Sequence, residues 1–206
     1  MSIKNLFILF NLIVFTSAAQ LHEPKLAIGL NYGFGGQTNN RNYSFSNRAI
    51  KAEVYYLINK GKKLEYQLLI EPELNYAKHQ LLNLYFVTPD ERNYEEKRDR
   101  FTKLKKIRSY ILGIGLIVRA SISAKISTYA LVSIGPMVTD TETERLSKGF
   151  AFADVLGIGV TTKFKRFNLD LRPSFRHTSN AGLQKLNSGI NALNFDTGIS
   201  YQLSRH

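Results

Sequence analysis

The feature that most constrains this chain is a two-residue alternation sustained over one long segment after another. Successive side chains of a β-strand point to opposite faces, so such a segment carries one apolar and one polar face. In the first segment Leu26, Ile28, Leu30, Tyr32 and Phe34 oppose Ala27, Gly29, Asn31, Gly33 and Gly35. In the second, Ile50, Ala52, Val54, Tyr56 and Ile58 oppose Lys51, Glu53, Tyr55 and Asn59. In the third, Leu64, Tyr66, Leu68, Ile70, Pro72, Leu74 and Tyr76 oppose Lys63, Glu65, Gln67, Glu71, Glu73 and Asn75. Further strands are predicted near 106–120, 124–138, 149–164, 166–179 and 190–203, which makes eight. The fifth and sixth segments alternate poorly, and Asp154 falls on the more apolar parity of its strand.

A soluble sandwich alternates too, but its strands average about five or six residues, and these run about ten to fourteen. The opposing face is built of small and ionisable groups able to pair inside a narrow barrel. The pattern predicts an all-β fold: an eight-stranded antiparallel outer-membrane β-barrel with a polar or small interior and an apolar exterior. Connections alternate short (near 59–62, 120–124 and 164–166) with long (near 36–47, 78–105, 139–148 and 180–189). Short periplasmic turns and long external loops have this rhythm, which puts residues 177–191 at the external rim.

The opening "MSIKNLFILFNLIVFTSAAQ" has one positive residue, a short apolar run and small residues at the end, as a secretory signal peptide does. Residues 1–19 are expected to be that leader and 20–206 a single barrel domain. With no cysteine there is no disulfide framework, and His22, His79 and His206 are scattered, so no metal or cofactor is expected. The net charge is +12, or +11 without Lys4. For an exported chain that surplus fits anionic lipid headgroups better than nucleic acid. In the charged stretch "PDERNYEEKRDRFTKLKKIR", read as a solvated external loop, Lys103, Lys105, Lys106 and Arg108 are candidates to hold lipid phosphates.

On the seventh strand Phe167, Leu169, Leu171, Pro173 and Phe175 form one row, and His177 and Ser179 continue it. Asn191 has the same outward parity at the start of the eighth strand, the hairpin neighbour. A serine hydroxyl becomes a competent nucleophile when a base takes its proton, histidine serves near neutral pH, and a third polar group fixes the imidazole tautomer. Parity alone leaves open the plainer alternative that polar residues at a strand end merely meet the headgroup zone.

The stretch "HTSNAGLQKLNSGIN" resembles the signature of the PagL-type lipid A 3-O-deacylases, also called acyloxyacyl hydrolases: His-x-Ser-Asn-Ala-Gly-Leu, a later Asn-x-Gly, then an acidic residue. The resemblance implies an eight-stranded outer-membrane barrel with a lipid-facing serine–histidine–acid triad. Carried over by position, Ser179 is the nucleophile and His177 the general base. Asn180, Gly182 and Asn187 are candidates for shaping the loop and supplying oxyanion donors. The substrate implied is lipid A, cut at the ester of its 3-hydroxyacyl chain in the external leaflet. Gly182 reads equally as a bare turn glycine.

Two departures stand out. The position of the family's glutamate holds Asn191, an amide that can accept from an imidazole N–H but cannot offset its charge. A slower enzyme is expected, with a non-catalytic structural or adhesive barrel as the alternative. Asp196 points inward about 17 Å along the strand, while Glu142 and Glu144 lie on another loop. The chain also finishes "YQLSRH" rather than on an aromatic residue, so an atypical assembly signal is expected.

Overall fold

The computed structural model describes residues 25–38 and 40–203; the expected leader and the final "SRH" lie outside the described residues. Eight strands follow one another: β1 (Leu26–Gln37), β2 (Tyr43–Lys60), β3 (Leu64–Leu81), β4 (Lys105–Ser121), β5 (Ile126–Thr139), β6 (Gly149–Phe164), β7 (Phe167–Ser179) and β8 (Ile190–Gln202). Each pairs antiparallel with its neighbours in chain order, and β1 pairs with β8 to close the barrel. Closure leaves no edge strand with unpaired backbone groups, the condition for a sheet to stand in hydrocarbon.

The predicted strands are all present, with two of them longer than the alternation suggests. Tyr43–Asn47 pair with Ala77–Leu81, so β2 starts at Tyr43 and β3 runs to Leu81. The first external connection accordingly shrinks to 38–42.

Large apolar side chains stand exposed all round the wall: Leu30, Ile50, Ile70, Tyr110, Ile134, Leu156, Leu169 and Leu193 among them. A surface of this kind matches lipid rather than water. The lumen is closed by a buried ionic network. Arg172 reaches Glu53 at 3.1 Å, Glu71 at 2.8 Å and Asp196 at 3.3 Å. Lys51 lies 3.0 Å from Asp196 and 3.4 Å from Glu71, and Arg176 holds Glu73 through two bonds of 2.6 and 2.7 Å.

The interior is not polar throughout. Tyr55, Leu69, Ile117, Tyr129 and Leu131 form one buried apolar cluster, and Ile111, Met137, Leu146, Ala151 and Ala153 a second. Apolar residues of β4, β5 and β6 thus point inward as well as outward, which is why alternation fades in the fifth and sixth segments.

The charged stretch read as a loop contains a helix, α1 (Tyr94–Thr102), with Glu95 and Glu96 in its first turn and Arg100 in its last, as the helix dipole favours. Phe101 anchors it against Leu81 and Val87, and Arg98 donates to the Val87 carbonyl. One buried aromatic among many charges leaves a weak apolar periodicity, so the helix is hidden from a reading based on pattern.

Removing one member of a buried ion network strands its partners without compensation. Arg172→Ala is therefore expected to destabilise the barrel by about 3–5 kcal/mol, measured by urea unfolding in lipid vesicles. An unchanged midpoint would show that the lumen ions do not hold the barrel.

Candidate active site

The end of β7 and the start of β8 carry the residues singled out by sequence. Arg176 is buried on its lumen carboxylate, and Thr178 and Ile190 line the small cavity inside the outer mouth. Their neighbours His177 and Ser179 therefore lie on the opposite, outward face. Asn191 is exposed while Ala192 beside it is buried.

The hairpin register sets His177 directly across from Asn191. The His177 Nδ1 lies 2.6 Å from the Asn191 Oδ1. An amide oxygen only accepts, so this contact calls for a hydrogen on Nδ1, and in the neutral ring Nε2 is then the atom able to take a proton. Ser179 ends β7 opposite Phe152 of β6. Among the described residues no hydrogen bond joins the Ser179 hydroxyl to the His177 ring; catalytic contacts in a substrate-free site commonly tighten only around substrate.

The loop 180–189 is held from within. Asn180, fully buried, donates its backbone N–H to the Asn187 side-chain oxygen at 2.7 Å and its Nδ2 to the Leu186 carbonyl at 2.9 Å. Its own Oδ1 accepts from the Gly182 N–H at 3.1 Å. Ala181 and Gly182 both take the left-handed conformation, at φ 52° and 79°, so Gly182 serves a backbone need. Between the two engaged amides, the Ala181 N–H has no partner among the described residues.

Three further residues shape this site without having been read from sequence. Gly189, at φ 70°, lies against the imidazole: a Cβ there would stand 2.9 Å from His177 Cε1. Arg145, from the 140–148 connection, donates to the Gly189 and Ser188 carbonyls at 2.6 and 3.0 Å. Its guanidinium covers the Tyr43 and Phe86 rings, and the Tyr43 hydroxyl accepts from the Asn191 N–H at 3.4 Å. Asp154, on β6, is the direct cross-strand partner of His177. Its odd parity was the only signal in the sequence, because which strand residue faces it is set by register.

The other acids are occupied elsewhere. Glu142 pairs with Arg100 at 2.7 Å, Glu144 with His79 at 2.8 Å, and Asp196 with the lumen cations. The basic candidates are not gathered at this site. Lys103 pairs with Asp99, Lys105 covers the Phe101 ring, and Lys106 and Arg108 stand exposed on β4, separated from β7 by β5 and β6. No group of metal-ligating side chains occurs among the described residues.

Residues 93–200, just over half of the chain, match the PagL family, described as lipid A 3-O-deacylase. Among solved structures the chain is similar to the outer membrane enzyme PagL, with 13% identity and a TM-score of 0.55 over 82% of this chain and 97% of that one. It is also similar to Neisserial surface protein A, with 10% identity and a TM-score of 0.50 over 89% and 100% of the two chains. At such identities the likeness establishes the fold alone. No curated protein matches the sequence at a significant level.

Gly189→Ala combines a disfavoured backbone with a methyl group driven against the imidazole edge. It is expected to lower deacylation at least about tenfold, the effect of 1.4 kcal/mol on a barrier, while the barrel still folds. Mass spectrometry of lipid A and the gel shift of folded barrel read the two outcomes; full activity would remove Gly189 from the site.

Proposed function

The chain belongs to the PagL family of lipid A 3-O-deacylases, integral β-barrels of the outer membrane, and from that premise we propose that it is a serine esterase working on its own lipid-facing wall. The substrate is lipid A, and the bond cut is the ester that links a 3-hydroxyacyl chain to position 3 of the sugar. The observation that carries this reading is the His177–Asn191 hydrogen bond on the outward face, two residues from an outward serine.

The Ser179 oxygen attacks the ester carbonyl carbon while its proton passes to His177 Nε2. The tetrahedral oxyanion meets the open N–H of Ala181, the donor left between the engaged amides of Asn180 and Gly182. As the intermediate collapses, the imidazolium returns the proton to the departing sugar oxygen, leaving the acyl chain on the serine. Water, activated by the same nitrogen, releases the fatty acid and restores the serine.

Asn191 orients the ring through Nδ1, and Asn187 and Asn180 hold the loop that presents Ala181. The substrate arrives by lateral diffusion in the external leaflet, so the barrel interior takes no part. Lys106 and Arg108, on another sector of the rim, meet the phosphates of neighbouring lipids rather than those of the lipid being cut.

Expression in a strain whose lipid A carries the 3-O-acyl chain tests this directly. Mass spectrometry is expected to show loss of one 3-hydroxyacyl chain, abolished by Ser179→Ala. Asn191→Glu is expected to raise the rate, because a carboxylate there both orients the ring and offsets its charge. An unaltered lipid A would instead support a non-catalytic barrel, the reading that the neutral Asn191 favours.

A further inference from the structure

At the end of the barrel that carries the short turns, the periplasmic end in barrels of this kind, the lumen opens into a cavity of about 840 Å³. Its walls include the last inward-facing residues of several strands: Arg119 and Ser121 from β4, Ser127 from β5, Lys163 from β6, Asn168 from β7 and Ser200 from β8. One step deeper along the strands, Tyr55, Leu69, Ile117, Tyr129 and Leu131 form the buried apolar cluster. The cavity is therefore a blind pocket rather than the mouth of a pore.

Its charge is one-sided. Seven lysines and arginines line it against two carboxylates, and both carboxylates are engaged: Glu65 with Lys60 at 3.7 Å, and Asp170 with the Tyr129 and Thr161 hydroxyls at 2.6 and 2.8 Å. Lys25, Lys125 and Lys163 have no ion pair among the described residues. Lys25 and Lys163 share the parity of Ala27 and Thr161, which line the cavity too. The outward parity at this level carries Tyr66, Phe164, Phe167 and Tyr201 instead, an aromatic belt of the kind that meets the edge of a bilayer. These lysines are aimed into the cavity and not at the lipid headgroups around it. Like charges gathered between low-dielectric walls repel one another and concentrate the local field, a cost that a bound anion relieves.

Arg119 is the built element of the site. Its guanidinium lies over the Tyr129 ring at 4.7 Å, and its Nη1 donates to the Ser127 and Thr161 hydroxyls at 2.9 and 2.6 Å. These contacts fix the group without neutralising it. Nε and Nη2 have no partner among the described residues, which leaves a planar pair of donors of the geometry that carboxylate and phosphate oxygens match.

We propose that this cavity binds a soluble multivalent oxyanion, a small molecule carrying two or more phosphate or carboxylate groups. Arg119 takes one anionic group, and Lys25, Lys125 and Lys163 supply the charge for another. Ser121, Asn168 and Ser200 complete the hydrogen bonding. Pockets for small molecules occupy about 300–1,000 Å³, so the space suits a ligand of this class. The site lies at the opposite end of the barrel from His177 and Ser179, and its existence does not depend on deacylation.

Calorimetric titration of the protein in phosphatidylcholine nanodiscs with inorganic triphosphate, and separately with citrate, tests this. Saturable binding of at least one is expected, weakening steeply as salt rises, and the tighter of the two identifies phosphate or carboxylate as the preferred group. Arg119→Gln is expected to weaken binding at least about tenfold, the effect of one charge-assisted hydrogen bond, and Lys163→Gln severalfold. Lys97→Gln, which removes the same charge from α1 at the external end, is expected to change nothing. The gel shift of folded barrel checks each variant, and Lys163, exposed at the mouth, carries the test if Arg119→Gln does not fold. Failure of both anions to bind overturns the proposal, as does binding that Lys163→Gln leaves unchanged. Binding of a hexaglutamate peptide alone overturns it as well, because the mouth would then be a docking point for a protein.

Discussion

The structure depends on how the inner faces of eight strands satisfy one another. Arg172, Lys51 and Arg176 lie among Glu53, Glu71, Glu73 and Asp196, all of them buried in the lumen. Those residues belong to β2, β3, β7 and β8. A slip of one residue in any of these strands would turn charges into the bilayer and leave their partners unpaired, so register is strongly specified. His177, Ser179 and Asn191 owe their outward position to that requirement: Arg176 must reach Glu73, and its neighbour in the strand must point away.

Local pattern carried most of the architecture. Alternation over long segments, with short and long connections in turn, is enough for eight strands and for the sidedness of the wall. It weakens where the physics is mixed. Ile111, Ile117, Leu131 and Met137 face inward from strands that are apolar outside as well, and periodicity cannot sort such a segment. Helix α1 escapes because Phe101 is its one buried residue.

The site divides in the same way. His177, Ser179, Asn180, Gly182, Asn187 and Asn191 occupy one short stretch of sequence, and the two-residue period assigns their faces. Asp154, Arg145 and Gly189 depend on pairings between distant segments: β6 with β7, and the 140–148 connection over the last external loop. Nothing local to those residues reveals such pairings, although an aspartate on an apolar parity is the trace one of them leaves.

The central claim is that an imidazole activates a serine on the lipid-facing wall. The most direct measurement treats the protein, reconstituted in lipid vesicles, with a membrane-soluble fluorophosphonate and locates the modified residue by mass spectrometry. The account predicts adduct on Ser179 that is lost in His177→Ala, with a charged water-soluble analogue reacting far more slowly. An unmodified Ser179, or modification that persists without the histidine, would contradict it.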